Sequence, residues 1–261
     1  MTTVWTFGGT ALTTYGKVNH FNDNYDLPMR RGSDIILPYQ PGQMFVPKQF
    51  DSRKLLFTIK YQGASYSALE TNNDSLKQLL AVRTEQTLSQ TREDATVRTI
   101  QATVNRPLQI DLSNGNKTAF YVIEFVCAFP YFRLSTAIAD NTTTINANPK
   151  AMTVTNPGTV DEQDATIIWT GPLSNTVITN STNGYTLTYT GTIASPRVVT
   201  IQKSGREWTA TTDLGANVIS NISHSGGSSY MRFEAGTNTL SIADSTHSTG
   251  TVKVSFNAPF I

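Results

Sequence analysis

From about residue 150 to its end, this sequence carries no helical period. Short apolar segments recur instead, at 152–155, 166–169, 176–179, 185–189, 198–201, 207–210, 231–234, 239–242 and 251–256. Between them stand Asn156-Pro157-Gly158, Gly171-Pro172, Asn183-Gly184, Ser204-Gly205, Gly226-Gly227 and Gly250. These residue types reverse a chain, because they take positive φ or fix a turn dihedral. Roughly eight or nine short strands in ~110 residues hide their apolar faces only by stacking as two sheets. The C-terminal half is therefore expected to be a jelly-roll β-sandwich.

The N-terminal half mixes two periods. Residues 54–61 alternate, with Leu55, Phe57, Ile59 and Tyr61 on one face of a strand. After Gly63 the spacing becomes helical: Leu69, Leu76, Leu79, Leu80 and Arg83 share a stripe, and Ser65 or Ser67 is available as the cap. This is the one helix that the sequence predicts, over 65–83. Strands resume with Ile100, Ala102 and Val104, then Leu108, Ile110 and Leu112, and the Asn114-Gly115 pair reads as a hairpin turn. In the run 120–132, Tyr121, Ile123, Phe125, Cys127 and Phe129 point one way and Phe120, Val122 and Val126 the other. Both faces are expected to be buried until Pro130 ends the strand. The expected fold is mainly β with one helix: an N-terminal antiparallel sheet or split barrel with a packed helix at 1–134, a Thr/Asn-rich linker at 135–150 with room for one short strand, and the sandwich at 151–261.

Composition narrows the partners. Residues 1–135 hold 14 Lys/Arg against 11 Asp/Glu, a balance of +3, and residues 136–261 hold 6 against 8, a balance of −2, which together give the net charge of +1. Neither half has the basic surplus from which phosphate binding draws its affinity, so nucleic acid is not expected as a bound partner. With Cys127 as the single cysteine, no intrachain disulfide forms, and a reducing cytoplasm is the expected place of folding. No apolar run reaches the ~18 residues of a membrane span.

Residues able to carry chemistry are few. His20, His224 and His247 lack the i, i+4 spacing of a zinc pair, and His224 and His247 fall in Ser-rich stretches that read as loops. Asp161, Glu162 and Asp164 form the compact acidic cluster, the type of arrangement that hydrolyses glycosides or holds calcium. Without interleaved ligands it reads as a solvated hairpin tip, and Asp23 and Asp26 read as backbone-capping loop residues. Trp169, Tyr185, Tyr189, Trp208, Tyr230, Phe233, Phe256 and Phe260 are the aromatics of the second half; most are expected in the core. Cys127 is expected to be a buried, inert thiol. No catalytic, metal or cofactor residue is assigned, no cofactor is expected, and the chain is not expected to be an enzyme.

The order of motifs is more telling than any one of them. Tyr15-Gly16-Lys17-Val18 comes first, then Arg30-Arg31 before Tyr39-Gln40-Pro41-Gly42 and the strand that follows. After the helix comes a phenylalanine-rich strand closed by Pro130-Tyr131. The second half contributes Asn156-Pro157-Gly158, Trp169-Thr170-Gly171, the hairpin at 177–193, and Arg232-Phe233-Glu234-Ala235-Gly236-Thr237-Asn238. In this order the chain resembles the distal tail protein family of siphophages over nearly its whole length.

That resemblance implies a structural virion protein of the tail tip, assembled in the host cytoplasm. Its N-terminal domain would close a homohexameric ring that joins the tail tube to the baseplate and passes DNA as cargo. Its galectin-like C-terminal sandwich would dock adhesion modules. The implied partners are further copies of itself, the tail tube protein, the tail-tip hub or tail-associated protein, a receptor-binding or adhesion protein, and a tape measure protein. A carbohydrate-binding β-sandwich of host adhesion, using Trp169 or Trp208, is the alternative function. A tail-tube component and a glycosidase acting through Asp161 or Glu162 follow behind it.

Overall fold

The computed structural model describes residues 3–20, 26–36, 41, 43–46, 48–105, 109–113, 117–138, 141–204, 207–225, 230–246 and 249–261. The chain forms two compact units, Met1–Arg133 with Ile261, and Leu134–Phe260. Leu108, the Asn114-Gly115 turn, Asp23, Tyr39, Gln40, Gly42, Gly205, Gly226-Gly227 and His247, singled out in the sequence, lie outside the described residues.

The strands of the first unit are β1 (Val4–Phe7), β2 (Thr10–Ala11), β3 (Lys17–His20), β4 (Arg30–Arg31), β5 (Ile35–Ile36), β6 (Gln43–Met44), β7 (Gln49–Phe50) and β8 (Arg53–Gln62). The helix α1 (Tyr66–Leu80) follows, then β9 (Gln86–Thr91), β10 (Val97–Val104), β11 (Gln109–Ser113), β12 (Thr118–Cys127) and β13 (Phe132–Leu134), which runs across the boundary. The main sheet has the order β2-β1-β9-β10-β12-β8-β3, with β11 beside β12. It is open, with β2 and β3 at its ends, so the sheet rather than the split barrel describes this half.

The sheet nevertheless folds over on itself. β10 pairs with β9 through residues 97–102 and with β12 through Thr103 and Val104. Strands distant in the order therefore face each other. Trp5 on β1 meets Phe57 on β8 with ring centroids 5.0 Å apart, and Phe7 meets Phe125 on β12 at 4.7 Å. The alternation at 54–61 places Leu55, Phe57 and Ile59 in this core with no exposure. Helix α1 is capped by Ser65, whose hydroxyl accepts from the Ala68 N–H at 3.2 Å. It buries Leu69, Leu76 and Leu80, each contributing about 1.5–3 kcal/mol of transfer free energy. Under it, the Tyr121 hydroxyl donates to Asn73 and accepts from Asn72.

Gly16 explains the Tyr-Gly step. It sits at φ 139°, and a Cβ there would lie 2.4 Å from the Lys60 carbonyl oxygen. Only glycine lets the turn at Leu12–Tyr15 pass this close to β8.

Two expectations for 120–132 are corrected. The strand ends at Cys127, and Phe129, expected on the inward face, is 65% exposed where the chain turns toward Pro130. The face carrying Phe120, Val122 and Val126 is not buried: Phe120 is exposed under the Lys60 ammonium, 5.6 Å from its ring centroid, and the two valines are half-buried. Leu112, expected to repeat an inward pattern, is also exposed.

The second unit contains β14 (Asn141–Thr144), β15 (Lys150–Asn156), β16 (Thr166–Thr170), β17 (Leu173–Ser174), β18 (Val177–Asn180), β19 (Tyr185–Tyr189) and β20 (Thr192–Ile193). It continues with β21 (Val198–Ser204), β22 (Glu207–Thr212), β23 (Ile222–Ser225), β24 (Gly236–Ala243), β25 (Thr251–Ser255) and β26 (Pro259–Phe260). Two antiparallel five-stranded sheets, β14-β25-β16-β21-β22 and β15-β24-β18-β19-β23, make the sandwich. Trp169 of the first meets Tyr189 of the second at 5.6 Å, and Phe233 stacks on Phe256 at 5.4 Å. The segment 135–150, expected as a linker, supplies β14, which pairs with β25 through Asn141–Thr144. Ile138 and Ile145 on either side of it are buried. The apolar segment 231–234 is no strand but a loop, whose one backbone bridge joins Phe233 to Glu162.

Candidate functional site

The chemical candidates are dispersed. Asp161, Glu162 and Asp164 do not form a solvated tip, because each has its own partner. Glu162 is fully buried, and its carboxylate accepts from the Asp164 N–H. Asp161 binds the Arg232 guanidinium through Nε at 3.0 Å and through Nη2, and accepts from the Ala235 N–H at 3.2 Å. The hydrogen bonds with Asp161 raise the Arg232 pKa above its usual value. Asp164 takes the Lys203 ammonium at 2.8 Å. The cluster thus ties the 231–236 loop and β21 to the chain before β16.

A buried amide set completes that tie. Asn156, Asn180 and Asn238 have no exposure. Asn180 donates to the Arg232 carbonyl at 2.8 Å and to Asn238 Oδ1 at 3.1 Å. Asn238 accepts from the Glu234 N–H at 3.0 Å and donates to the Glu234 carbonyl at 2.8 Å. The Arg232 to Asn238 motif and the Asn156 turn are therefore one hydrogen-bonded structure that stands in for strand pairing where a loop is buried.

His224 lies on the edge strand β23, not in a loop, with its ring 4.4 Å from that of Tyr230. Tyr230 also meets Trp208 on the edge strand β22 at 4.8 Å. Trp208 and Tyr230 are half-buried, whereas Trp169, Tyr189, Phe233, Phe256 and Phe260 belong to the core. Cys127 is buried, and that burial pushes its thiol up to about 12, consistent with an inert sulfhydryl. Asp26 offers its carbonyl to Arg53. Among the described residues no three His, Cys, Asp or Glu side chains group closely enough to hold a metal, and no helix is long and apolar enough to cross a membrane.

Two surfaces of the first unit remain. The first is an arm between β3 and β8. The strand β4 pairs with β7, and β5 pairs with β6, so the described parts of 30–50 form one narrow antiparallel ribbon. The Asp51 N–H donates to the Met29 carbonyl at 2.7 Å, and Lys48 bridges to Asp34 at 3.0 Å. This hydrogen bond holds the Asp34 carboxyl below its usual range. At the root, the Arg53 guanidinium donates to the Asp26 and Pro130 carbonyls, at 2.8 and 3.4 Å, and lies 5.0 Å over the Phe132 ring. Arg53, on β8, thereby holds the start of the arm at Asp26 beside the turn at Pro130. Along the arm Leu27, Met29, Ile35, Met44, Phe45 and Val46 face solvent, Met29 and Phe45 at 80% exposure. Sequence reasoning missed this surface, since its apolar residues follow no period. The signal that was available is their placement between the charged residues Arg30, Arg31, Asp34 and Lys48.

The second surface is a groove of about 340 Å³ beside the C-terminal end of α1, lined by Phe7, Tyr15, Leu79 and Val82 with Ser75 and Gln78. None of its lining residues is charged.

No protein-family model matches the chain, and no curated protein matches it by sequence. Its structure does find counterparts. The crystal structure of the Dit protein of phage SPP1, a paradigm of the hub adsorption apparatus in phages that infect Gram-positive hosts, superposes with a TM-score of 0.71 at 13% identity. The match covers 98% of this chain and 99% of that one. The chain has the fold of the SPP1 hub protein. Two structures of the phage P2 baseplate in its activated conformation, with Ca and with Sr, match over 100% of both chains at 10% and 11% identity, with TM-scores of 0.46 and 0.44.

Proposed function

We propose that this chain is a structural hub of a phage tail, whose first unit closes a ring of identical subunits and whose second unit serves as an attachment platform. The observation that carries the reading is the superposition on the SPP1 hub protein, which spans both units rather than a shared sandwich alone. The distribution of chemistry supports it. The carboxylates that would serve a glycosidase are spent on holding loops together, and the exposed apolar surface gathers on one arm. The near-neutral charge also suits a lumen through which DNA passes without being held. In this reading the ring is hexameric, sits at the tail tip between tube and baseplate, and displays one sandwich per subunit to adhesion proteins. Of the aromatics that would serve carbohydrate binding, Trp169 is a core residue, which leaves Trp208 and Tyr230 for that alternative.

Negative-stain imaging with light scattering on the purified chain tests the ring. Closed rings with an open centre and the mass of six subunits are the expected result. A monomer across the whole accessible concentration range would falsify ring formation by this chain.

A further inference from the structure

We propose that Trp208, Tyr230 and His224 form a binding site for a neutral saccharide on the second unit. The site goes beyond the hub reading and does not depend on it.

Two edge strands bring the rings together. The strand β22 ends one sheet of the sandwich and β23 ends the other. Trp208 shares its face of β22 with buried Ala210, and His224 lies opposite buried Leu187 on β19. Side chains two apart on a strand, and those directly opposite across a pair, share a face, so both rings point toward the space between the sheets. Tyr230 stands between them, its ring centroid 4.8 Å from Trp208 and 4.4 Å from His224. Successive rings tilt by 47° and 37°, which makes one inclined stack from sheet to sheet.

Closing the sandwich does not account for this stack. A ring that seals a core is buried, as Trp169 and Tyr189 are at 0% and 5% exposure. Trp208 and Tyr230 are half-buried, and His224 is exposed. Their polar atoms are uncommitted as well. Among the described residues, the Trp208 indole N–H, the Tyr230 hydroxyl and the His224 ring nitrogens make no hydrogen bond to the protein. The Tyr185 hydroxyl, by contrast, is engaged by Arg232.

Such a combination fits one ligand chemistry. A saccharide ring packs its C–H face on an aromatic ring and needs donors and acceptors for the hydroxyls around its rim. The stack supplies ring faces together with an N–H donor, a hydroxyl that donates and accepts, and an imidazole. An ionic ligand is poorly served, because the neighbouring charges are already paired. Lys203, in register with Trp208, holds Asp164 at 2.8 Å, and Arg232, two residues from Tyr230, holds Asp161. A protein is poorly served by size: three partly covered rings offer far less than the ~800 Å² that each side of a stable protein interface buries.

The test titrates the full-length chain with neutral tetrasaccharides of glucose, galactose and N-acetylglucosamine, followed by calorimetry and by tryptophan emission. At least one is expected to bind with a Kd of about 1 mM or tighter. The emission change should vanish in Trp208→Phe, because Trp5 and Trp169 are buried and away from the ligand. Trp208→Ala and His224→Ala should each weaken binding by about ten-fold or more. His224 is exposed, so its variant should keep the parent's urea midpoint and decides the matter even where Trp208→Ala lowers stability. Light scattering should give the same assembly for parent and variants, which keeps the hub reading separate. A parent that binds none of the probes at ten times that Kd overturns the proposal, as does a probe whose affinity both variants leave unchanged. Loss of adhesion-protein attachment in the variants, without sugar binding by the parent, would assign the stack to a protein partner and overturn it too.

Discussion

Asp244 shows how a single side chain organises the second unit. Its carboxylate accepts from the Ser174 N–H at 2.6 Å and the Thr176 hydroxyl at 3.1 Å with one oxygen, and from the Thr246 N–H at 3.2 Å and hydroxyl at 2.6 Å with the other. Burial alone would push this carboxyl up, but the bonds from Thr246, Ser174 and Thr176 outweigh it and hold the group below its usual value. A folded pKa below the unfolded one contributes stability above the unfolded value, about 3.9, and loses it as pH falls through the folded value. Replacing Asp244 by Ala should cost about 1–3 kcal/mol at pH 7 for the donors left without an acceptor. The gap between variant and parent in urea midpoint should then narrow as pH is lowered from 5 toward 2 (about the window set by these pKa values). A gap that stays constant over that window would show that the carboxylate charge has no part in the effect. Only the bonds from Thr246, two residues on, follow a local turn pattern; nothing in the spacing around Asp244 signalled the bonds from Ser174 and Thr176, which lie 70 and 68 residues earlier. The acidic cluster at 161–164 was visible, but its division among Arg232, Lys203 and a buried backbone depended on a tertiary packing that no local pattern encodes.

At the scale of elements, the periods in the sequence were legible wherever one face met a core. The alternating segment 54–61 is part of β8, and the helical stripe gave α1, with Ser65 the cap actually used. Ser65→Ala should therefore lower stability by about 1 kcal/mol, read as a shift in the urea midpoint, whereas Ser67→Ala should leave it nearly unchanged. Eight of the nine apolar segments expected after residue 150 overlie β15, β16, β18, β19, β21, β22, β24 and β25. Missed were β17, β20, β23 and β26, which are short or polar; β14 is the one short strand for which the linker had room, and its part in the sandwich went unread because an edge strand such as Asn141–Thr144 pairs through its backbone and needs no apolar face. The segment 231–234 looked like a strand because Met231 and Phe233 are buried, but one backbone bridge to Glu162 and the buried amides around it, not a ladder, satisfy its backbone. In 120–132 the doubly apolar pattern suggested a strand buried on both sides. The exposure of Phe120 shows that residue type alone does not reveal whether a second layer covers a face.

For the whole molecule, the two units are the level at which the proposed function divides. Each has its own core: Trp5, Phe7, Phe57 and Phe125 in one, Trp169, Tyr189, Phe233 and Phe256 in the other. A core of this kind is what lets a domain fold alone. The exposed apolar surface of the arm belongs to the first unit only, so self-association should belong to it as well. Residues 134–260 produced as a fragment are expected to unfold in one cooperative urea transition and to remain monomeric in light scattering. The starting point matters, because β14 is an edge strand of the sandwich: a fragment beginning at 151, where the sequence placed the domain, lacks that strand and both flanking isoleucines, Ile138 and Ile145. Losing two buried isoleucines removes about 3–6 kcal/mol of apolar burial, a large part of what a domain of this size has in hand. The shorter fragment should accordingly melt at a lower urea concentration or fail to fold. Equal midpoints for the two fragments would return 135–150 to the status of a linker. Rings formed by the 134–260 fragment would move assembly from the first unit to the second, and with it the division of labour on which the hub reading stands.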